Sequence, residues 1–561
     1  MTKKETYSSE KVSKYLSEAP KAVSAYIGDL EQQIQNLSQI GLALSKERDM
    51  SKLLEMILLE AKRISNSDGG TLYMMTDDKR LKFEIMMTDS LDFHMGGTSG
   101  QDIPFYPVKL FDENGEPNNS MVAAFVGLSG ETVNIQDAYK AKGFDFSGTK
   151  MFDEKTGYHS KSFLTVPLKN HEDEIIGVLQ LLNAQTNKNK KIIEFSSDIQ
   201  GKVEALASQA AVAITNKNLI KDLENLFESF IKLIASAIDA KSPYTGGHCE
   251  RVPEITMMLA EAVHKTKTGP FADFNLSDQE MYELKIAAWL HDCGKVATPE
   301  FVVDKSTKLE TIYDRINEVE TRFSVLKRDQ EIKKLKKELS VERDNSINPK
   351  EKNQKLNSIK KEYQKSIKQL KKDLSFVKES NIGGEFMSDD KKQRINEISN
   401  YKWKPNGKMQ NFLSEDEVYN LTIPRGTLTP EERQVINDHI VVTINMLDEL
   451  PYPKHLKNIP EFAGGHHEKL DGTGYPKGLT KNEMSVQARI MAIADIFEAL
   501  TARDRPYKKG KTLSQAMRIL GFMKDDAHID VDLFDIFVKK KIYMKYAKGF
   551  LEPEQIDKVS I

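Results

Sequence analysis

Cysteine is scarce in this sequence: Cys249 and Cys293 are the only two among 561 residues. Two thiols exclude a disulfide framework and a multi-thiolate metal site. Excess charge is also lacking, with 81 Lys and Arg against 84 Asp and Glu. This balance argues against a nucleic-acid polymer as partner. A reducing cytoplasm is the expected location.

Long apolar runs are absent as well. No stretch reaches the roughly 18 apolar residues of a membrane span, and the start, MTKKETYSSEKVSKYL, lacks the apolar core of a signal peptide. We therefore expect no membrane span. A length of 561 residues exceeds what one core organises, since domains average roughly 100–200 residues. The sequence predicts a soluble multidomain protein.

Short β-rich runs between Gly70 and Asn183 predict an α+β domain. TLYMM and KFEIMM are typical strands, and SFLTVPLKN and EIIGVLQLLN are joined by the charged turn HEDE, as in a hairpin. Residues 1–60 carry apolar positions at a spacing near 3.6, which predicts an amphipathic helix before the domain.

A long helix is predicted after this domain, because residues 199–240 contain no Pro and no Gly beyond Gly201. Five large apolar residues form one stripe along it: Leu219, Leu223, Leu226, Phe230 and Leu233. Two interpretations stay open, a helix packed on its own domain and a dimeric coiled-coil stalk.

The remainder is helix-rich, but a segment of different composition interrupts it between about Arg315 and Thr427. Residues 326–378 are dominated by Lys, Glu and Gln, with the polar break DNSINPK near the middle. This pattern predicts two charged helices folded back as a hairpin, most simply a solvated arm. Residues 379–427 indicate turns and no chemistry.

Histidines recur in distinctive contexts after Lys241. In KIAAWLHDCGK, an apolar helix ends at His291 and Asp292, with Gly294 as the expected helix cap. A buried carboxylate usually pairs, takes up a proton or binds a metal. Imidazole and carboxylate together suit iron, manganese or zinc. His248, in PYTGGHCERV, precedes another apolar helix and is a weaker candidate.

Further candidates follow the interruption. His466 and His467 are adjacent in EFAGGHHEKLDGTGYP, and neighbours on a helix diverge by about 100°. Both can serve one centre only if it is wide, as two metals about 3.5–4 Å apart would make it. Asp495 is the one acid in the most hydrophobic stretch of the apolar helix RIMAIADIFEALTARDRPYK, and a lone Asp there indicates coordination. His439, in QVINDHIVV, could equally be a core histidine.

Together, HDCGK, HHEKLDGTGYP and ADIFEALTARDRPYK resemble the HD-GYP family of cyclic dinucleotide phosphodiesterases, a metal-dependent branch of the HD superfamily. The resemblance covers about 241–314 and 428–561, and it implies an all-helical domain with two, sometimes three, metals. It implies one metal held by His248, His291, Asp292 and Asp495, and a second held by bridging Asp292 with His439, His466 and His467. Tyr244 replaces an acid associated with a third metal, which favours two.

The same resemblance implies how the substrate is handled. Asp292 and Lys295 would be the catalytic residues, with Lys295 on the substrate phosphate. Arg505 and Lys508 would clamp the dinucleotide phosphates, unless they form only a solvated basic surface. Gly474 and Tyr475 would belong to a GYP loop beside the pocket. Iron and manganese are the expected metals.

The N-terminal region resembles a GAF domain, on GTKMFDEKTGY and SFLTVPLKNHEDEIIGVLQLLNA. In cyclic-nucleotide-binding GAF domains an Asn-Lys pair is followed by Phe and acidic positions. Asn183, Phe195 and Asp198 could correspond, but Ala184 replaces the lysine. The ligand is therefore open, and a GAF domain that only dimerises is the alternative.

The expected protein is an α+β GAF sensor joined by a long helix to an all-α HD-GYP hydrolase that cleaves cyclic di-GMP to pGpG, with GMP as a further product left open. The alternatives are a cyclic GMP-AMP phosphodiesterase, a non-catalytic dinucleotide-sensing adaptor and an HD hydrolase of other nucleotides. A homodimer through the GAF domain and helix is expected. The predicted segments are 1–36 (N-terminal helical), 37–200 (GAF), 201–240 (connecting helix), 241–314 (HD-GYP, first part), 315–427 (insertion) and 428–561 (HD-GYP, second part).

Overall fold

The computed structural model describes residues 21–241, 247–384, 386–503 and 510–559. The chain divides into two compact units, Met1–Leu226 and Phe227–Ile561. Among the described residues, no helix combines the length and apolar character needed to cross a bilayer.

An antiparallel sheet forms the centre of the first unit. Its strands are β1 (Ser67–Met75), β2 (Arg80–Thr88), β3 (Phe93–Gly96), β4 (Val108–Lys109), β5 (Val133–Ile135), β6 (Phe163–Lys169), β7 (Ile175–Gln185) and β8 (Ile192–Ile193). The strand order is β3-β2-β1-β7-β6-β5, with β4 paired to β2 and β8 to β7. TLYMM and KFEIMM lie in β1 and β2, and the predicted hairpin is β6 with β7. The α+β prediction is confirmed.

Helices cover both faces of this sheet. They are α1 (Lys21–Lys46), α2 (Met50–Ser65), α3 (Val122–Ser129), α4 (Ser147–Thr156) and α5 (Ser197–Lys241). Buried Leu58 of α2 and Leu206 of α5 pack with strand residues in one core. Ala124 and Val126 of α3 pack with Leu81 of β2 in a second core. The first unit is therefore layered, with apolar side chains on both sides of the strands.

The helix α5 differs in burial between its first part and its later part. Apolar residues near its start, such as Val203 and Ala210, are fully buried in the first unit. The five-residue stripe named above begins at Leu219 and stays between 53% and 66% exposed. The part of the chain that the structure describes leaves more than half of each of these side chains exposed. Packing on the first domain therefore accounts only for the first part of the helix.

The second unit is built from helices. They are α6 (His248–His264), α7 (Asp278–Leu290), α8 (Glu300–Val303), α9 (Ile316–Arg343), α10 (Pro349–Ile382), α11 (Asp389–Ser399), α12 (Glu415–Leu421), α13 (Pro430–Asn437), α14 (His439–Asp448), α15 (Ile459–Gly464), α16 (Val486–Thr501), α17 (Leu513–Asp525), α18 (Val531–Lys539) and α19 (Ile542–Phe550). Leu259 of α6, Leu284 of α7, Ile493 of α16 and Phe537 of α18 meet in one buried core. A short pair of strands, β9 (Lys402–Trp403) and β10 (Gln410–Asn411), accompanies them.

The two charged helices predicted for the interruption are α9 and α10. They run antiparallel, because Lys337 Nζ lies 2.7 Å from Glu362 and Lys352 Nζ lies 2.6 Å from Glu342. Their outer halves fit the prediction of a solvated arm, since Leu335 is 53% exposed. Their bases do not, because they share a buried core with α11, α12 and Phe412. The sequence pattern missed this core.

Buried lysines fix the ends of the arm. Lys305 Nζ lies 2.8 Å from Glu432, and Lys308 Nζ donates to the carbonyls of Leu421 at 3.0 Å and Ile423 at 2.8 Å. Burial lowers the pKa of Lys308 to about 8. The arm therefore leaves the second unit from a base held by hydrogen bonds between buried groups.

Candidate metal centre

The helix α7 delivers a histidine and an aspartate to the interior of the second unit. A reciprocal capping box between Ser277 and Glu280 starts the helix, which satisfies backbone donors at its first turn. At its other end, His291 is fully buried and Asp292 is 1% exposed. The chain then forms a 3₁₀ turn over Cys293–Ala297. Gly294 lies inside this turn, so its predicted role as a helix cap is wrong.

Gly294 instead allows a second helix to approach. A Cβ at this position would lie 2.0 Å from the carbonyl oxygen of His439 and 2.5 Å from the backbone nitrogen of Thr443. The Gly294 N–H also donates to Thr443 Oγ1 at 2.9 Å. Because any side chain would push α14 away, glycine here brings His439, the first residue of α14, beside Asp292.

One group of donors forms around Asp292 Oδ2. His248 Nε2 lies 3.1 Å from this oxygen and 3.3 Å from Asp495 Oδ1. His291 Nε2 lies 3.3 Å from Asp292 Oδ2 and 3.3 Å from His248 Nε2. The start of α6, the interior of α16 and the end of α7 therefore bring four side chains to one point.

A second group forms around the other oxygen of the same carboxylate. His439 Nε2 lies 3.2 Å from Asp292 Oδ1 and 3.3 Å from His467 Nε2. His466 and His467 follow the short helix α15, and their rings are 4.1 Å apart. A backbone turn after α15 thus lets adjacent histidines share one centre, as the sequence required.

All seven predicted ligands converge in this way. Their donor atoms fall into three sets, each within 4.8 Å: His248, His291 and Asp495; His439, His466 and His467; and His291, Asp292 and His466. The last set joins the first two. These groups could hold metal ions, with Asp292 between them.

Hydrogen bonds fix which ring nitrogen faces the centre. His291, His439 and His466 each place Nδ1 on the carbonyl of the residue three positions earlier, at 2.8, 2.5 and 2.5 Å. A carbonyl accepts only from a protonated nitrogen, so Nδ1 carries the hydrogen and Nε2 keeps its lone pair. Such outer bonds hold metal-binding imidazoles in the required tautomer.

The electrostatics keep His466 and His467 neutral. Burial, followed by its neighbours His467 and His291, places the pKa of His466 well below its ordinary value. Burial likewise lowers the pKa of His467 to about 4. Both rings are therefore neutral near pH 7, which is the form that binds metal.

The first group attracts positive charge. Burial alone would lower the pKa of His248, but the carboxylate of Glu498 and then those of Asp292 and Asp495 raise it well above its usual value. Burial opposes ionisation of Asp292, yet Lys295 and His291 hold its pKa well below the ordinary range. Carboxylates that stabilise a proton on His248 would stabilise a divalent cation in its place.

Two buried atoms indicate that these side chains suit a bound cation. Within the described residues, Asp292 Oδ1 and His466 Nε2 are buried and make no hydrogen bond. Leaving such atoms unpaired costs about 1–3 kcal/mol each. Both are metal-binding atoms that face the centre, so a cation would satisfy them. Cys293 offers no competing ligand, because burial raises the pKa of its thiol to about 11.

The predicted substrate contacts lie partly beside this centre. Lys295 Nζ sits 2.5 Å from Asp292 Oδ2, and its side chain is 28% exposed. The Tyr475 ring stacks on His467 with centroids 4.9 Å apart. Gly474 packs so closely that a Cβ would lie 2.3 Å from the backbone nitrogen of Lys469. Arg505, Lys508 and Tyr244 are outside the described residues.

Sequence reasoning missed two supporting acids. Glu498 is fully buried on α16 and bonds both His248 Nδ1 and the side chain of Arg251. Glu468 accepts from the backbone nitrogens of Lys477 at 2.7 Å and Leu479 at 2.9 Å, and so holds the GYP loop. The signal for Glu498 was present, since it lies one helical turn after Asp495 in the same apolar helix.

The three GAF positions singled out from the sequence lie in different surroundings. Asn183 is 1% exposed, and its side chain bonds the backbone of His159 and Lys161 at 2.8 and 2.7 Å. Phe195 is part of the hydrophobic core. Asp198 lies at the surface and pairs with Lys202 at 2.7 Å. The correspondence of these residues with a nucleotide-binding motif stays a prediction.

Family models match both units. The model described as GAF domain matches residues 49–214, and the model described as HD domain matches residues 415–533. The second match includes His439, His466, His467 and Asp495. It begins at Glu415, after most of the predicted insertion, and so leaves out the donors on α6 and α7.

Curated proteins match over shorter stretches. A 3′3′-cGAMP-specific phosphodiesterase 3 of Vibrio cholerae is 38% identical over 107 residues, 19% of this chain and 22% of that protein. The 3′3′-cGAMP-specific phosphodiesterase 1 of the same organism is 43% identical over 79 residues, 14% and 18% of the two chains. A cyclic di-GMP phosphodiesterase of Thermotoga maritima is 41% identical over 93 residues, 17% and 25%.

These matches span a quarter or less of the curated relatives' own length. The printed names of these relatives agree with the HD domain model. The chain therefore contains a GAF domain followed by an HD domain, the latter resembling the HD-GYP branch.

Proposed function

We propose that the second unit is a metal-dependent phosphodiesterase that opens a cyclic dinucleotide, with cyclic di-GMP as the leading substrate and pGpG as product. The observation that carries this proposal is the convergence of seven His and Asp donors around the two oxygens of Asp292. Cleavage of pGpG to GMP is left open. Cyclic GMP-AMP is the second candidate, because two similar relatives carry that name.

Two divalent ions, iron or manganese, are the proposed cofactors. Neutral imidazole and carboxylate ligands accept either metal. When bound, two such cations would lower the pKa of a water molecule and neutralise phosphate charge. His248, His291 and Asp495 would hold one, and His439, His466 and His467 the other, with Asp292 between them.

The chain's own residues would do the remaining work. Lys295 would donate to a non-bridging phosphate oxygen and offset the charge that develops there. The exposed part of its side chain allows this exchange of partner, from Asp292 to substrate. The Tyr475 ring, held against His467, would limit the pocket on the GYP side. Arg505 and Lys508 stay proposed phosphate contacts.

The test is to purify the full chain without air, quantify its metals, and follow cyclic di-GMP and cyclic GMP-AMP by chromatography with added ferrous or manganous ion. Linear product from the native chain and none from Asp292→Ala is the expected result. Absence of product from protein that carries two metals per chain would refute the proposal and favour a dinucleotide-sensing adaptor.

The GAF domain is proposed to sense a small ligand. A homodimer is proposed to form through the GAF domain and the connecting helix. The exposed stripe of α5 repeats at steps of four and three residues from Leu219 to Leu233, which is the 3.5-residue period of a coiled coil. We expect Leu226→Lys to convert a dimer into a monomer in sedimentation experiments. Lys221→Met, outside the stripe, should leave the dimer intact. If Leu226→Lys and the native protein sediment with the same molecular mass, dimerisation through the stripe is refuted.

A further inference from the structure

The last turn of α5 contacts the turn that carries Lys295. Lys241, the final residue of the helix, donates from Nζ to the carbonyl oxygens of Thr298 at 2.7 Å and Lys295 at 3.3 Å, and also to that of Val296. These carbonyls lie at the end of the 3₁₀ turn Cys293–Ala297. An ammonium group there satisfies backbone acceptors and complements the negative end of the turn.

The same turn of α5 holds the other side of the centre. Asp239 is 8% exposed, and its Oδ2 accepts from the backbone nitrogen of Cys249 at 3.2 Å. Cys249 follows His248 at the start of α6. The end of α5 thus bonds the backbone in two places beside the candidate metal centre. Asp239 bonds Cys249, the neighbour of His248, and Lys241 bonds the carbonyl of Lys295, the predicted phosphate contact.

We propose that Lys241 is a positioning residue for Lys295, an inference that rests on the proposed phosphodiesterase function. By fixing the carbonyls of the 3₁₀ turn, Lys241 sets the backbone from which Lys295 Nζ reaches Asp292 Oδ2 at 2.5 Å. Within the described residues, the hydrogen bonds of Lys241 Nζ go to backbone carbonyls of this turn and not to a predicted metal ligand. We therefore expect its effect on turnover to pass through the turn that carries Lys295.

The position of Lys241 also links this contact to the rest of the chain. The helix that it ends begins at Ser197, within the first unit. A shift or rotation of α5 would move the ammonium group relative to the three carbonyls. Lys241 is thus placed to transmit a change in the helix to Lys295.

The test compares Lys241→Met, which keeps the length of the side chain and removes its donors, with Lys241→Arg, which keeps donors and charge. Turnover by Lys241→Met should fall about tenfold, in line with the sensitivity of rate to small misplacements. Metal content should stay at the native level, and Lys241→Arg should recover most of the rate. Lys221→Met, exposed on the same helix, is the matched control and should retain native turnover.

A double-mutant cycle separates positioning from simple structural support. If Lys241 acts through Lys295, the variant combining Lys241→Met with Lys295→Ala should be no slower than Lys295→Ala alone, within about twofold. If the fold losses in turnover of the two single variants multiply in the double variant, the inference is overturned. Native turnover in Lys241→Met would also overturn it. Should Lys241→Met not fold, Lys241→Gln, which keeps a donor, replaces it in the same cycle.

The outcomes for the native chain distinguish the two proposals. No hydrolysis of either cyclic dinucleotide by metal-loaded native protein refutes the phosphodiesterase proposal and this inference with it. Hydrolysis by the native chain with an unaffected Lys241→Met variant refutes the role of Lys241 alone.

Discussion

Replacement of Gly294 by alanine should separate His439 from Asp292 and so divide the two groups of candidate metal ligands. The added Cβ would lie 2.0 Å from the carbonyl oxygen of His439, whereas ordinary contact begins near 3.4 Å. That oxygen belongs to the first residue of α14, so the helix must retreat by about 1.4 Å unless the turn moves instead. His439 Nε2, now 3.2 Å from Asp292 Oδ1, would move out of reach of a shared cation.

The expected cost has two parts. Overpacking a buried site typically destabilises a protein by about 1–3 kcal/mol, so the Gly294→Ala variant should still fold. A misplacement of about 1 Å can cost about 100-fold in rate, so turnover should fall by that order. Metal analysis should show loss of the cation held by His439, His466 and His467.

The matched control is Gly521→Ala on α17, where a Cβ would meet nothing within 4 Å. Alanine in a helix interior is favoured over glycine by roughly 0.5–1 kcal/mol, so this variant should be slightly more stable and fully active. Thermal unfolding, metal quantification and cyclic dinucleotide turnover are measured for all three proteins. Native metal content and turnover in Gly294→Ala would show that the reasoning on α14 is wrong.

Three further predictions concern the surroundings of the centre. Glu498→Gln removes the charge beside His248 and should weaken metal binding by about 10- to 100-fold in titrations with manganous ion. Unchanged affinity would show that the Glu498 carboxylate does not support His248 as a metal ligand. Lys308 has a pKa of about 8 when folded against 10.5 ordinarily, so the unfolded chain binds more protons between these values and stability should rise with pH there. Urea unfolding at fixed ionic strength should show the free energy of unfolding rising with pH, and Lys308→Met should reduce this rise. An equal pH dependence in both proteins would refute the lowered pKa of Lys308. Replacing residues 331–366 by a short Gly/Ser linker should leave turnover unchanged, and loss of activity in a folded, metal-loaded variant would show that the outer arm acts in function.

Local patterns made much of the fold predictable. Strand alternation, turn residues and helical spacing are properties of neighbours in the chain, and they placed β1, β2, the β6–β7 hairpin, the long helix and the paired arm helices. Asp292 and Asp495 were accessible as candidate ligands, because a carboxylate in an apolar helix conflicts with its surroundings unless it binds something. The full set of seven followed only from the resemblance to the HD-GYP family. Glu498 obeys the same rule and was overlooked beside Asp495.

Other features could not be inferred because they depend on residues far apart in the sequence. The core beneath the arm joins α9, α10, α11 and α12, whose apolar residues are too widely spaced to reveal it. Gly294 was interpreted from its own helix, whereas its requirement comes from α14, more than a hundred residues later. Asn183 was interpreted from a local motif, whereas its hydrogen bonds to the backbone of His159 and Lys161 join segments more than twenty residues apart.

The sequence by itself determined the kinds of element and the chemical types of the candidate ligands, because hydrophobic period and donor chemistry reside in single residues and their neighbours. Only the tertiary structure decided that the two oxygens of Asp292 face separate groups of histidines, that carbonyls fix the imidazole tautomers, and that Lys241 reaches the turn carrying Lys295. Those are relations of distance and direction between segments, and packing of the whole chain sets them.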